Sequence, residues 1–407
     1  MYSLVVPPQG SLIRDLVLTA YSVFTDYELF NAYVSLTGER LLINADENVV
    51  KAFLKEIFSM AIENAKLKTE KLKVYSPAIH KNDGQVLQKL SPNIGINIVD
   101  EDYLSCALKL LRWAEEDVVK NYDRWIEQLS MIEVSRKNIK LGDGSYANLQ
   151  PFKIEKYEYG KGFGNFKIKL DYRLSREWLS LAIAGFVLSY SCFAGGEIIL
   201  TPLPEEIFLR ALNDRSYRDS IKIMTDAKTT IHALYGEKGL YLVPSRLALP
   251  PSPTVAYLLL LGLHTYTEYY RSLSLESIPQ YIILRILYSG QTFTLRERTE
   301  LNIQPILRFA ESLAKNVSDF KSIVRDLEDF LRCTIKLAGG RNTYCTNRYG
   351  SYTVCHRIAQ TLYQAILGSR KPEQLIYLMA RTTPENSPLR REGLLKGIYD
   401  ALSSLSK

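Results

Sequence analysis

Arginine, tyrosine and asparagine side chains recur close together near the carboxyl end, between Gly339 and Arg357. Guanidinium groups bind phosphates through two parallel hydrogen bonds, aromatic rings stack on bases, and side-chain amides hydrogen-bond to base edges. The segment therefore predicts a loop that contacts a phosphate-bearing polymer. Ser351 is placed to cap the helix that follows. The alternative is an interhelical loop whose arginines are solvated. The predicted contact residues are Arg341, Asn342, Tyr344, Asn347, Arg348, Tyr352 and Arg357.

A second candidate is a glycine-tipped hairpin predicted between Phe152 and Arg173. Three glycines at positions 160, 162 and 164 allow the tip a backbone conformation that other residues avoid. Lysines along both arms could neutralise phosphates, while a phenylalanine and an asparagine at the tip could stack on a base and read its edge. The alternative is a solvated hairpin whose lysines protect an edge strand. The predicted contact residues are Lys153, Lys156, Lys161, Phe163, Asn165, Lys167 and Lys169.

The positive charge of the chain is concentrated at one end. Residues 331–407 contain 12 Lys or Arg and 4 Asp or Glu, a net charge of +8. The whole chain carries +7, which leaves −1 for residues 1–330. A localised positive region of this kind favours a polyanionic partner.

Sequence signatures of catalysis are missing. The chain has no phosphate-binding loop of the Gly-x-x-x-x-Gly-Lys-Ser/Thr type and no Gly-x-Ser-x-Gly elbow. Its four histidines form no His-Asp pair, and Arg348 and His356 are too far apart for an Arg-(x4–6)-His ribonuclease motif. The acidic run at 326–329 is interpreted as a solvated helix face. We therefore expect no catalytic residue and no cofactor, with an unrecognised nuclease site or a protein-interaction scaffold as the alternatives.

The five cysteines are scattered and odd in number, which predicts thiols in a reducing compartment and no disulfide framework. A zinc site would need four convergent ligands, and no Cys-x-x-Cys pair is present, so no metal site is predicted. The cysteine and histidine side chains considered for zinc are Cys333, Cys345, Cys355 and His356. The chain start lacks the pattern of a signal peptide, and the apolar runs are short for a membrane span, which predicts a cytoplasmic protein without membrane contact.

Periodicity and turn residues predict an α+β fold, with a mixed amino-terminal part that includes a β-hairpin region and a mostly helical carboxy-terminal bundle. Predicted domains are 1–175, 176–253 and 254–407, with the Pro250-Pro251-Ser252-Pro253 cluster as the second boundary. Helices are predicted at 11–25, 46–68, 103–130, 176–194 and 204–213, and nearly throughout after 253. Strands are predicted in a hairpin at 30–44 and at 74–79 and 94–99.

The layout of the chain resembles that of the large subunit of archaeal type I-A CRISPR interference (Cascade) complexes. Its most similar stretch is Tyr27-Glu-Leu-Phe-Asn-Ala-Tyr-Val-Ser-Leu-Thr-Gly-Glu-Arg-Leu-Leu-Ile, continuing into the helix through Lys68. The 27 tyrosines, with few Met and Cys, also resemble the composition of thermophilic archaeal proteins.

The resemblance implies a non-catalytic subunit that senses the motif flanking a target in duplex DNA and helps to start strand separation. Its implied partners are a guide RNA, target double-stranded DNA, and the backbone and small helical subunits of the complex. A helicase–nuclease recruited in trans would do the cutting. Because guide–target pairing reads the sequence, such a subunit needs few base contacts.

Overall fold

The computed structural model describes residues 1–30, 32–71, 76–135, 138–153, 171–194, 197–213, 254–269, 280–288, 293–338, 340 and 342–405. The predicted α+β class is confirmed, with a mixed amino-terminal part and a helical carboxy-terminal region. The chain divides into two compact units, Met1–Arg218 with Tyr281–Glu300, and Asp219–Gln280 with Leu301–Lys407. The boundaries at 175 and 253 stay predictions.

A three-stranded antiparallel sheet lies near the amino terminus of the first unit. Its strands are β1 (Tyr2–Val5), β2 (Tyr33–Thr37) and β3 (Arg40–Asn44), in the order β1-β3-β2. Leu41 and Ile43 are fully buried, because alternate residues of a strand point to the same face. Gly38 has a φ of 59°, which the tight turn between β2 and β3 requires. The predicted hairpin is therefore confirmed.

Helices pack around a core in the first unit. The first, α1, is shorter than predicted and continues as a 3₁₀ segment at Tyr21–Phe30. Two pairings dominate the core, α2 with α4 and α1 with α6, and all of α6 except its first residue is buried. The helices of this unit are α1 (Leu12–Ala20), α2 (Glu47–Lys66), α3 (Lys81–Ile94), α4 (Tyr103–Lys120), α5 (Tyr122–Ser130), α6 (Arg176–Ser189) and α7 (Glu205–Asn213).

Two predicted strands are wrong, and one predicted helix is divided. Of the strand predicted at 74–79, residues 74 and 75 lie outside the described residues and the rest is irregular, with only an isolated bridge between Ala78 and Asp102. The strand predicted at 94–99 consists of the last residue of α3 and irregular chain. The imidazole of His80 caps α3 by accepting from the Asn82 amide at 3.2 Å. The predicted helix at 103–130 breaks at Asn121, whose φ of −127° is not helical. Short apolar runs suit either structure, and capping decides between them.

Two further sheets belong to the first unit. One has the order β4-β5-β7-β6, with β5 parallel to β7, and the other has the order β11-β10-β9-β8. The predicted helix at 176–194 ends at Ser189, and the next residues form a strand. Strands β10 and β11 also correct the expectation of helix nearly throughout after 253. The strands are β4 (Ile132–Val134), β5 (Asn138–Leu141), β6 (Tyr146–Ala147), β7 (Asp171–Leu174), β8 (Tyr190–Ala194), β9 (Glu197–Leu200), β10 (Gln280–Tyr288) and β11 (Phe293–Asn302).

The second unit is helical over its described residues. Helix α10 packs against α8, α11 and α12, while α14 packs against α9. The connection between α12 and α13 is short, so these two contacting helices are antiparallel. None of the described helices is both long and apolar enough to cross a membrane. The helices are α8 (Thr254–Tyr269), α9 (Gln304–Asn316), α10 (Phe320–Ala338), α11 (Thr343–Tyr349), α12 (Tyr352–Ile366), α13 (Pro372–Thr382) and α14 (Glu392–Leu405).

The contact between α1 and α6 gives a stability prediction, because a Cβ added at Gly185 would lie 1.9 Å from the Leu16 carbonyl oxygen. We expect Gly185→Ala to lower the free energy of unfolding by about 3 kcal/mol or more in urea denaturation, since backbone has to move. Gly84→Ala is the matched helical control, because its added Cβ would meet only the Ile79 side chain at 3.7 Å. That variant should lie within about 1 kcal/mol of the wild type. Equal stability of both variants would contradict the close helix contact.

Candidate nucleic-acid interface

Only the base of the predicted glycine-tipped hairpin is described. Lys153 is half-buried and directly follows the 3₁₀ turn Gln150–Phe152. The hairpin itself therefore stays a prediction. The remaining predicted contacts lie outside the described residues, namely Lys156, Lys161, Phe163, Asn165, Lys167 and Lys169.

The turn before Lys153 is anchored to a buried carboxyl group. Both oxygens of Asp83 accept from the Gln150 amide at 3.0 Å, and one accepts from the Tyr103 hydroxyl at 2.5 Å. Asp83 is fully buried, and this burial raises its pKa from 3.8 to about 6. Phe152 is buried as well and packs against Phe186. These buried contacts therefore hold the chain in place where it enters the segment predicted as a hairpin.

The second candidate segment is more ordered than a loop. Residues 343–349 form α11, so Tyr344, Asn347 and Arg348 project from a helix. Asn342 is its N-cap, and the Asn342 side-chain oxygen accepts from the Cys345 amide at 3.0 Å. That oxygen is therefore engaged in capping α11, and the predicted contact of Asn342 with a ligand would have to be made by its NH2 group. Arg341 lies outside the described residues. The capping pattern of Asn342 was the signal in the sequence that could have predicted α11.

A disulfide joins α11 to α10, between Cys345 and Cys333. The prediction that the chain contains no disulfide is wrong. The bond could not be predicted from a spacing of 12 residues, because it depends on how the two helices pack. A crosslink that closes a loop of this length stabilises a folded state by about 3 kcal/mol. Cys106 and Cys355 are buried thiols.

Arg348 does not stand free in solvent. Its Nε lies 3.3 Å from the Asp329 carboxylate and donates to the Tyr349 hydroxyl at 3.1 Å. The guanidinium also lies 5.6 Å from the ring centroid of Tyr344, which is 57% exposed. Asn347 is exposed. The charge of Arg348 is therefore partly neutralised, and the prediction of a freely available phosphate ligand holds less well for this arginine than for Arg357.

Two of the predicted contact residues lie on helix α12, where Tyr352 is half-buried and Arg357 is exposed. Ser351 occupies its N-cap, but the Ser351 side chain makes no capping hydrogen bond, contrary to expectation. Tyr352 is half-buried with its ring 5.6 Å from that of His356, so less of this ring is open for stacking than predicted. Arg357 is exposed, and no carboxylate among the described residues pairs with it.

The acidic run on α10 neutralises part of the basic end. Arg348 pairs with Asp329, and Arg391 with Asp326. Arg332 and Glu328 pair within α10 at 3.3 Å. The interpretation of residues 326–329 as a solvated face is thus wrong for these carboxylates, whose side chains are between 13% and 34% exposed.

Four exposed cations of α12, α13 and their connection have no carboxylate partner within the described part of the chain. Arg370 donates to the Gln364 amide oxygen at 3.2 Å, and Arg381 lies 5.7 Å from the ring centroid of Tyr377, which is 63% exposed. Sequence reasoning identified Arg357 but missed the other three cations and Tyr377, although Tyr377 and Arg381 share the helical i, i+4 spacing. The four cations are Arg357, Arg370, Lys371 and Arg381.

These cations lie at the two ends of one helical hairpin. Arg357 is near the start of α12 and Arg381 near the end of α13, so the antiparallel pair brings them to the same end. A Cβ added at Gly350 would lie 3.9 Å from Pro384, which places the end of α11 beside that end as well. Arg370 and Lys371 mark the other end, about 15 Å away by the helical rise between Lys371 and Arg381.

The described residues contain no cluster of three or more His, Cys, Asp or Glu side chains arranged to hold a metal ion. The disulfide also occupies two of the four side chains considered for zinc, Cys333 and Cys345. The third cysteine, Cys355, is a buried thiol whose pKa burial raises to about 12, which disfavours the thiolate that zinc needs.

No protein-family model matches the sequence, and a search of curated proteins finds no match either.

The buried Asp83 gives a prediction about pH. Its pKa is higher in the folded than in the unfolded chain, so the folded state binds more protons between about pH 4 and pH 6. The free energy of unfolding should therefore fall as pH rises through this range, by up to about 3 kcal/mol from this group. Asp83→Asn should remove that part of the decrease, measured by urea unfolding at a series of pH values.

The rest of the decrease should persist in Asp83→Asn, because burial also raises the pKa of Asp15 to about 6. A second variant, Asp15→Asn, is therefore the internal comparison. An unchanged pH dependence in Asp83→Asn would show that the Asp83 carboxyl group is not buried as described.

Proposed function

We propose that this chain is a non-catalytic nucleic-acid-binding large subunit of an RNA-guided CRISPR surveillance complex of type I-A. The observation that carries the proposal is the set of four exposed cations at the ends of the α12–α13 hairpin, which lack carboxylate partners among the described residues. Exposed cations of this kind release counterions when they meet phosphates, which is the main source of sequence-independent affinity.

The spacing of these cations suits a polynucleotide. Arg357 and Arg381 are separated from Arg370 and Lys371 by about 15 Å, the helical rise between Lys371 and Arg381. Successive phosphates on one strand of a duplex advance by about 3.4 Å, so the two groups of cations span about four base-pair steps. Two groups of cations at this separation can hold one stretch of backbone at two points.

Exposed tyrosines beside the arginines add a second kind of contact. Tyr344 and Tyr377 both lie under the guanidinium of an arginine four residues later. Aromatic rings of this kind stack on unpaired bases without sequence preference. Together with the cations they support a subunit that holds an unpaired strand and so aids strand separation, while the sensing of the flanking motif in duplex DNA is proposed from the resemblance alone.

The partners in this proposal follow from the resemblance. They are the guide RNA, target double-stranded DNA, the backbone and small helical subunits, and a helicase–nuclease that acts in trans. The subunit works in the cytoplasm. The disulfide agrees with that location if the source is thermophilic, because intracellular proteins of hyperthermophilic archaea are often rich in disulfides.

The proposal predicts salt-dependent binding that depends on the hairpin cations. The double variant Arg357→Glu with Arg381→Glu should bind labelled duplex DNA about tenfold or more weakly, because two phosphate contacts become repulsive. The slope of log affinity against log salt should decrease by about 2. Electrophoretic mobility shift or fluorescence anisotropy between about 50 and 300 mM salt measures both quantities.

A matched control distinguishes the effect of the assigned surface on binding from the effect of the change in net charge. Lys89→Glu with Arg112→Glu makes the same change in net charge at exposed positions on α3 and α4 of the first unit. This control should bind within about twofold of the wild type. An equal loss in both double variants would contradict the assigned surface. No shift of any DNA or RNA probe at low salt would favour a scaffold, and probe degradation abolished by a single substitution would establish a nuclease.

A further inference from the structure

Helix α11 depends on α10 for its position. It has seven residues, of which only Cys345 and Tyr349 are buried. A helix of this length is not stable alone, because the cost of nucleation is not recovered over so few hydrogen bonds. Its orientation is therefore set by what its two buried side chains contact.

Both side chains are held by one face of α10. Cys345 is bonded to Cys333, and the Tyr349 ring meets the Phe330 ring edge-on at 5.6 Å. The Tyr349 hydroxyl donates to Asp329 at 2.7 Å. Positions 329, 330 and 333 lie on one helical face, so the three contacts form a single clamp. The disulfide is its covalent part.

The outer side of α11 carries the side chains assigned to nucleic-acid binding. Tyr344 and Asn347 are exposed, and Arg348 lies over the Tyr344 ring. The clamp fixes these groups before a ligand arrives. Binding to a surface that is already fixed costs less conformational entropy than binding to a surface that must first be ordered.

We propose that the Cys333–Cys345 disulfide is a redox-dependent positioning device for the α11 surface, and that the oxidised protein binds nucleic acid more tightly than the reduced protein. The inference rests on the proposed function and adds a form of regulation to it. Cys333 and Cys345 act through Tyr344, Asn347 and Arg348, and do not touch the ligand themselves.

The redox step is an exchange with a dithiol reductant. A reductant thiolate attacks one sulfur of the Cys333–Cys345 bond, which breaks and leaves a mixed disulfide. The second reductant thiol then displaces that cysteine. Two electrons and two protons reach the protein as two thiols, and the dithiol becomes a disulfide. Oxidation by a disulfide-containing partner reverses each step.

The third cysteine of this region does not compete for the bond. The Cys355 thiol is fully buried and donates to the carbonyl oxygens of Tyr349 and Gly350 at 3.6 and 3.7 Å. Burial raises its pKa to about 12, so the attacking thiolate is scarcely populated. Exchange within the protein is thereby suppressed, and the 333–345 pairing is preserved.

Because the Cys333–Cys345 disulfide is buried, its reduction is coupled to the binding of a ligand by α11. Cys345 and Cys333 are 0% and 2% exposed, so a reductant can reach them only when α11 lifts from α10. A nucleic acid that binds the seated α11 opposes this opening. By linkage, the factor by which oxidation tightens binding equals the factor by which bound nucleic acid shifts the reduction equilibrium.

The test compares the full-length protein when oxidised, when reduced with dithiothreitol, and as the double variant Cys333→Ser with Cys345→Ser. Cys106→Ser in the first unit is the control. Thiol titration under denaturing conditions should find two fewer thiols before reduction than after. Hydrogen exchange at 343–349 should be about tenfold faster in the reduced protein and the double variant. Affinity for a fluorescent single-stranded oligonucleotide and for a duplex should fall about three- to tenfold.

Each outcome is decisive. Reoxidation should restore affinity in the wild type and not in the double variant, and the wild-type redox cycle alone suffices if that variant fails to fold. Equal thiol counts before and after reduction, or equal α11 exchange in both states, would overturn the clamp. Equal affinity in both states overturns the regulation and leaves the proposed function intact. If the oxidised protein has a protected α11 but binds no probe, the proposed function is overturned, and the proposed regulation of binding by the disulfide falls with it.

Discussion

The acidic face of α10 is the constraint on which the carboxy-terminal unit depends. Asp326 and Asp329 bind arginines that come from later parts of the chain, Arg391 and Arg348. The carboxylates are partly buried, where an unpaired charge would cost far more than it does in solvent. Positive charge is therefore cancelled where Arg348 and Arg391 meet α10, and among the described residues no carboxylate cancels the charge of the four cations of α12, α13 and their connection. Through α10, the uneven distribution of charge along the sequence becomes an uneven distribution of charge over the surface of this unit.

The fold was predictable where local signals agreed. The hairpin at 30–44 combines alternating apolar residues with a glycine turn, and α2 combines helical periodicity with an acidic residue at its start. Residues 280–302 and the two strands predicted at 74–79 and 94–99 were misassigned over their described residues, because short apolar segments suit both helices and strands. The run at 179–194 contains no charged residue and crosses from α6 into β8, so hydrophobicity could not mark where the helix ends.

The candidate site was predicted in its residue types but not in its arrangement. Tyr344 and Asn347 are exposed, and their contact with nucleic acid stays a prediction. The position of their helix depends on contacts with Asp329, Phe330 and Cys333. Such contacts follow from helix packing, which no spacing in the sequence encodes. Tyr377 and Arg381 were missed for a different reason, since a ring and a cation on a polar helix face resemble an ordinary solvated surface until the surrounding charges are known.

The two parts of the proposed surface contribute to binding at different stages. The unpaired cations of α12 and α13 act at a distance through their charge, which raises the rate of encounter with a polyanion and weakens as salt rises. The α11 side chains act only on contact, and Arg348 already shares its charge with Asp329. Their value comes from being held in place, which affects mainly how slowly a bound strand leaves. In the proposed function, attraction and retention are thus carried by different helices, and only retention depends on the disulfide.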